Sequence, residues 1–105
     1  MKGYITVLRH IILCKLKPEL DEAARIKAKA NIKAALEALP AHIEGLEKMT
    51  VHTSPLASSD CDLMLESVFS DKESLDRYRV HPEHVKCIDL FRASVSEKNK
   101  FDFYE

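Results

Sequence analysis

The sequence predicts an α+β domain in which an antiparallel sheet of four strands packs against two helices. Three features predict this class: segments rich in Ile, Val and Leu that alternate with period two, two segments with apolar residues at steps of three and four, and their order. That order is strand, helix, strand, strand, helix, strand, which is the ferredoxin-like βαββαβ arrangement. The length of 105 residues and the hydrophobic content of 46% suit one core, so we expect a single domain over residues 1–105.

The first strand is predicted over residues 4–17, where both period-two faces are apolar in the middle. Pro18 should end this strand and open the first helix, and Pro40 should end that helix. The apolar positions of the helix recur at steps of three and four: Leu20, Ala24, Ala28, Ile32, Ala35, Leu36 and Leu39.

Two further strands are predicted at residues 43–53 and 61–69. The segment between them, SPLASSD at 54–60, has the composition of a loop. A closing strand is predicted at residues 100–105, with both of its phenylalanines on one face.

The second helix is predicted to begin at SDKE, where Ser70 would cap the helix and Glu73 would reach back to it. It should run to about Tyr78 and restart at Pro82, because proline is disfavoured inside a helix and favoured at its first position. On the restarted helix one stripe should face the interior: His84, Ile88, Phe91 and Val95.

In this arrangement both helices cover the same face of the sheet and leave the other face bare. The predicted strands nevertheless carry apolar residues on both faces. An exposed apolar face of several hundred Å² is uncommon in a soluble monomer. We therefore expect a second copy of the chain to cover it in a closed two-fold homodimer, through an interface of roughly 2,000 Å² or more.

Composition argues against several function classes. The formal net charge of −1 comes from 16 basic and 17 acidic residues that are scattered along the chain, so no nucleic-acid partner is expected. Cys14, Cys61 and Cys87 are odd in number and widely spaced, which predicts free thiols and a cytoplasmic location. No signal peptide is expected, and no apolar run approaches the ~20 residues of a membrane span, so no membrane partner is expected.

Tyr78 and His84 are the candidate catalytic residues. A phenol and an imidazole close together can act as a polariser and a general base, since the imidazole pKa of about 6.5 suits proton transfer near neutrality. The alternative is that His84 is a hydrogen-bonded histidine at a helix start and that Tyr78 packs with its hydroxyl in water. His81 precedes the proline and should lie at the cap position, partly exposed.

His10 is the residue that most suggests a pocket, because a polar ring in mid-strand beside Ile12 and Cys14 is unusual unless that face lines a cavity. A zinc site at HPEH would need two more ligands and both rings on one face, so no metal is expected. No thiol has an obvious base beside it, which gives nucleophilic catalysis no support.

Three segments resemble the stress-responsive A/B barrel (Dabb) family: RHIILCKLKP near the start, LMLESVFSDKESLDRYRVHPEHVK in the second half, and FDFYE at the end. The resemblance covers nearly the whole chain, and the first-strand histidine together with the Tyr-x-x-His-Pro-x-His segment is its most specific part. It implies a ferredoxin-like fold that pairs into a dimeric α/β barrel, within the wider superfamily of dimeric α+β barrels.

The family includes plant polyketide cyclases, stress-associated proteins and members without an assigned activity. The catalytic tyrosine and histidine of the plant cyclases match Tyr78 and His84, and their first-strand histidine matches His10. The candidate ligand-binding residues are His10, His81, Leu63 and Ile32. Two polar pocket positions of the cyclases fall at Ile32 and Leu63, which removes polar contacts to a polyketide.

The resemblance implies a small, largely apolar pocket for an aromatic or polyketide-like ligand, with proton transfer on a phenol or β-dicarbonyl as the reaction. The alternative is a non-catalytic stress-response or assembly protein. A third interpretation, from the related antibiotic-biosynthesis monooxygenases, ranks last because the chain has no tryptophan. No cofactor is expected, since no haem or quinone site is recognisable.

Overall fold

Residues 6–105 are described by a computed structural model of the chain, so positions 4 and 5 of the predicted first strand lie outside the described residues. A short 3-10 helix follows the first α-helix. In chain order the elements are β1 (Leu8–Leu16), α1 (Glu22–Glu37), the 3-10 helix (Leu39–Ala41), β2 (Leu46–His52), β3 (Leu63–Phe69), α2 (Lys72–Val80), α3 (Pro82–Val85), α4 (Ile88–Ser94) and β4 (Val95–Tyr104).

The strands form one sheet in the order β2-β3-β1-β4, and all neighbours are antiparallel. This confirms the predicted ferredoxin-like α+β fold. Central strand β1 pairs His10 with Ser67 of β3 and with Asp102 of β4. These three side chains therefore point to the same face of the sheet.

The first helix begins later than predicted. Pro18 lies in a turn, and α1 starts at Glu22 because the Asp21 carboxylate accepts a 2.8 Å hydrogen bond from the backbone N–H of Ala24. The prediction that Pro18 opens the helix was wrong. At the other end α1 stops at Glu37, just before the 3-10 helix.

The start of α2 also differs from the prediction. Asp71, not Ser70, caps the helix, and its carboxylate accepts a 2.8 Å hydrogen bond from the N–H of Ser74. The Ser70 hydroxyl instead donates to the Glu47 carboxylate at 2.7 Å. The predicted restart at Pro82 is confirmed, because the preceding residue is extended and cannot continue α2.

The C-terminal strand is longer than predicted and begins at Val95 instead of residue 100. The expected stripe on one continuous helix is therefore divided among α3, α4 and the first residue of β4. Its members are half-buried, and Phe91 and Val95 pack at the edge of the core.

The two faces of the sheet have different surroundings. The covered face packs against the helices, and its buried core residues include Leu8, Cys14, Leu65 and Phe69. The opposite face, here called the open face, carries these strand residues: Arg9, Ile11, Leu13, Lys15, Lys48, Thr50, His52, Met64, Glu66, Val68, Glu97, Asn99, Phe101 and Phe103. No helix in the described part of the chain is long and apolar enough to cross a membrane.

Candidate functional site

A cleft opens on the covered face, between the sheet and the helices. It consists of a cavity of about 300 Å³ and an adjoining one of about 210 Å³. Both cavities are lined by Ile12, Tyr78, His84 and Lys98, so they are two parts of one space. The larger part is mainly apolar and is also lined by Leu36, Leu65, Ile88, Phe91 and Arg92, whereas the smaller part adds His10, Arg79 and Lys100. This cleft is the candidate functional site.

The break between α2 and α3 brings Tyr78 and His84 together. Their ring centroids lie 4.2 Å apart, with the ring planes inclined by 37°. The break also leaves the carbonyl of Arg79 available at the end of α2, and it lies 3.2 Å from Nδ1 of His84. Because a carbonyl only accepts, Nδ1 carries the proton, and Nε2 of the neutral ring keeps its lone pair.

The surroundings hold both rings in their neutral forms. Burial lowers the pKa of His84 below its ordinary value, the hydrogen bond to Arg79 opposes this, and the nearby charges of His10, Lys98 and Arg79 lower it further. Burial raises the pKa of Tyr78, which is 4% exposed. Near neutral pH the pair is therefore a free imidazole base beside a protonated phenol.

The Tyr78 hydroxyl reaches open space in the cleft that the residue lines. Within residues 6–105 every side-chain polar atom that is sealed from solvent has a hydrogen-bond partner, so a hydroxyl without a protein partner, such as that of Tyr78, is not sealed. Phe69 packs edge-on against the ring, at a centroid distance of 5.0 Å, and fixes its orientation. The hydroxyl is thus positioned to donate a hydrogen bond to a bound molecule.

His10 is the third polar ring of the cleft and is 6% exposed. Its Nδ1 contacts the Oδ1 atom of Asp102, and the other oxygen of Asp102 lies 3.5 Å from the Arg79 guanidinium. The carboxylate therefore holds the His10 ring in one orientation. Sequence reasoning missed Asp102, although an acid between two phenylalanines of a strand is a visible signal.

The other predicted ligand-binding residues do not line this cleft. His81 caps α3, where its Nδ1 accepts a 3.1 Å hydrogen bond from the N–H of Glu83. Ile32 and Leu63 are each 1% exposed and belong to the hydrophobic core. Leu36, one turn further along α1 than Ile32, supplies the helix contact to the cleft.

The cysteines lie outside the cleft. Burial raises the pKa of Cys14 to about 11 and also raises the pKa of Cys87, so both are thiols near neutral pH. Among the described residues no three His, Cys, Asp or Glu side chains converge as metal ligands do.

The model of the Stress responsive A/B Barrel Domain family, Dabb, matches residues 8–105. The chain belongs to the Dabb family. No curated protein sequence matches it significantly.

Solved structures share the fold. A dimeric ferredoxin-like protein of unknown function from Bacteroides fragilis is 26% identical over 92% of this chain and 94% of that one, with a TM-score of 0.87. A Dabb family protein from Mesorhizobium loti is 19% identical over 93% and 95% of the chains, with a TM-score of 0.72. The hydroxynitrile lyase of Passiflora edulis is 14% identical over 94% and 93%, with a TM-score of 0.76.

Proposed function

We propose that this Dabb protein is a homodimeric proton-transfer enzyme, of the cyclase or lyase kind, that acts on a small phenolic or β-dicarbonyl substrate in the covered-face cleft. The observation that carries the proposal is the pairing of Tyr78 with a His84 ring whose protonated nitrogen is held by the Arg79 carbonyl. Removal of a proton next to a carbonyl requires a base with a free nitrogen in a fixed position and, beside it, a hydroxyl that donates to the carbonyl oxygen.

In the proposed reaction, Nε2 of His84 removes the proton from a carbon acid or a phenol. The electron pair of the broken bond moves onto the substrate oxygen, and the Tyr78 hydroxyl donates a hydrogen bond to that developing oxyanion. The imidazolium then returns the proton to the product. His10, held by Asp102, faces the same space and orients the substrate.

The apolar lining of the larger cavity supports a ligand with an aromatic or alkyl body. Ile12, Leu65 and Phe91 offer only hydrocarbon surface at this point. A related fold does carry lyase chemistry, since the Passiflora edulis protein is a hydroxynitrile lyase. At 14% identity this likeness supports the fold as a scaffold for such reactions, and the residues in the cleft support the reaction itself.

The homodimer is part of the proposal. Structural relatives are described as dimeric, and the open face presents apolar side chains such as Leu13 and Phe101, which are 40% and 68% exposed. A second copy would bury them, as the predicted dimeric α/β barrel requires. The three free cysteines agree with a cytoplasmic location.

The rival is a non-catalytic stress-response or assembly protein, in which the Tyr78 ring, packed on Phe69, only supports the fold. Deuterium exchange into methyl 2-methylacetoacetate, followed by NMR in D₂O, separates the two roles. We expect the wild type to accelerate exchange and His84→Gln to lose roughly 10²-fold of this acceleration. Tyr78→Phe should reduce the rate with almost no change in volume.

Thermal unfolding of the same variants is the control. Groups held for function contribute little to stability, so the melting temperature of His84→Gln should stay close to that of the wild type. Earlier melting of the variants, together with a wild type that neither binds resorcinol nor speeds exchange, would contradict the enzyme proposal and favour the assembly role.

A further inference from the structure

Four cationic side chains line the cleft. Arg92 and Lys98 line its larger part, and Arg79 and Lys100 join Lys98 in the smaller part. Among the described residues no Asp or Glu lines either part. The whole chain has a net charge of −1, so this positive charge is local to the cleft and is not a property of the composition.

Three of these cations have no carboxylate partner. In the part of the chain that the structure describes, Arg92, Lys98 and Lys100 form no ion pair, and Arg79 shares Asp102 with His10. Some lysines outside the cleft do have partners, as Lys72 does in Asp76 at 2.8 Å, whereas others such as Lys27 and Lys29 form no ion pair in the described residues. What distinguishes the cleft is that its unpaired cations lie together around one space. The cleft therefore collects positive charge that the protein itself leaves unneutralised.

The two lysines on β4 project to the mainly apolar face of the sheet. Lys98 and Lys100 pair in register with Cys14 and Ile12, so both side chains lie on the covered face, whose buried residues are mostly hydrophobic. The Nζ atom of Lys98 lies 5.7 Å from the ring centre of Phe91, at the apolar wall of the larger cavity. A cation in that position is suited to a ligand that is apolar at one end and anionic at the other.

We propose that the cleft selects a ligand with an apolar or aromatic body and an anionic head group, which Lys98 and Arg92 bind at the mouth. The inference rests on the proposed function only in taking this cleft as the ligand site. Lysine and arginine form charge-assisted hydrogen bonds with carboxylate and phosphate alike. The body of the ligand then lies on Ile12, Leu65 and Phe91, with its reactive end toward Tyr78 and His84.

Isothermal titration with three matched probes tests the selection: 4-hydroxyphenylacetate, its neutral amide, and phenyl phosphate. We expect at least one anionic probe to bind about tenfold or more tightly than the amide, because a hydrogen bond to a charged group outweighs a neutral one. The stronger of the two anions identifies the head group as carboxylate or phosphate. Added salt should reduce the preference.

Lys98→Met keeps the aliphatic stem and removes the charge, so the preference for the anion should fall about tenfold while the affinity for the amide stays the same. Arg92→Met removes the other proposed head-group cation and is a second variant in case the first does not fold. Lys72→Met, on the exposed side of α2 and outside the cleft, is the matched control and should keep the preference.

Equal binding of acid, phosphate and amide by the wild type would overturn the selection of anions, and so would an unchanged preference in Lys98→Met and Arg92→Met. If no probe binds at millimolar concentration while His84-dependent deuterium exchange persists, the anion inference fails and the proposed reaction stands. If binding and exchange are both absent, both proposals fail.

Discussion

The two faces of the sheet come from the same alternating strands, yet the polar residues on them are arranged differently. On the covered face the polar side chains His10, Lys98 and Lys100 line the cleft, where they face open space. On the open face the polar residues pair with one another, as when Glu66 contacts Arg9 at 3.4 Å and His52 at 3.0 Å.

This difference separates two uses of a polar residue on a sheet. Charged side chains on the open face that are already paired with one another can be buried by a second copy of the chain, because no charge is then left without a partner. A polar group that faces a cavity stays available to a ligand. Apolar alternation alone indicates that both faces are covered, whereas the arrangement of the polar residues indicates which face holds the site.

The largest expected effect comes from placing a charge at the centre of the open face. Ile11 lies at its centre, paired with Glu66 on one side and Phe101 on the other. In Ile11→Glu a charge would be buried without a partner, so we expect dimer affinity to fall about a hundredfold or more. Size-exclusion chromatography with light scattering measures the change.

Ile26→Glu is the matched control, because Ile26 is an exposed isoleucine on α1 and should tolerate the charge without change in assembly. A wild type that is already a monomer of about 12.0 kDa at micromolar concentration would contradict the dimer itself.

The stability of the covered face should depend on how closely α2 packs against the turn before β2. Gly45 in this turn has φ of 89°, and a Cβ atom there would overlap the side chain of Ser74 on α2. Gly45→Ala should lower the free energy of unfolding by roughly 2 to 4 kcal/mol, from the left-handed backbone and the overlap together. Urea denaturation measures the loss.

Ser74→Ala alone removes the hydroxyl without the overlap and should cost less than about 1 kcal/mol. A Gly45→Ala protein that unfolds within about 0.5 kcal/mol of the wild type would show that this turn does not constrain α2.

The fold was predictable because its signals are local and repeat along the chain. Alternation and helical spacing located the four strands and the two main helical regions, and Pro82 fixed the restart of the helix. Two errors lie at helix starts where two residues could play the same role, because Asp21 caps α1 in place of Pro18 and Asp71 caps α2 in place of Ser70. A third is the start of β4, which lies at Val95 instead of residue 100. The spacing of apolar residues alone does not show which of two neighbouring residues begins or caps a helix.

The site was predictable only in part. Tyr78 and His84 lie close in sequence, so their contact follows from the helix break between them. Lys98 reaches the cleft, and Asp102 reaches His10, through pairing of β4 with β1. That register is set by contacts between residues far apart in the chain. For the same reason the sequence does not show that Ile32 is core while Leu36 lines the cleft.

A smaller effect tests the polar network of the covered face. Asp102→Asn keeps the size of the side chain but removes the charge that holds His10. We expect deuterium exchange to slow about tenfold, as is usual when an orienting partner is lost. Glu97→Gln, on the open face of the same strand, is the control and should leave the rate unchanged. An Asp102→Asn protein that exchanges at the wild-type rate would contradict a role for Asp102 in orienting His10.

The smallest expected effect is the pH dependence of stability that His84 imposes. Its pKa in the folded protein is lowered below the ordinary value of 6.5, first by burial, so between the two pKa values the unfolded chain binds more protons. The contribution of His84 to the free energy of unfolding is therefore complete above about pH 6.5 and is lost as the pH falls through the folded pKa.

Urea denaturation from pH 8 to pH 5 should show a steeper loss of the free energy of unfolding for the wild type than for His84→Gln, at protein concentrations where both remain dimeric. Because burial is the main cause and the charges of His10, Lys98 and Arg79 are secondary, most of the difference should persist at high salt. Parallel curves for the two proteins would mean that His84 titrates as it does in the unfolded chain, and a difference that disappears in salt would assign the effect to the neighbouring charges.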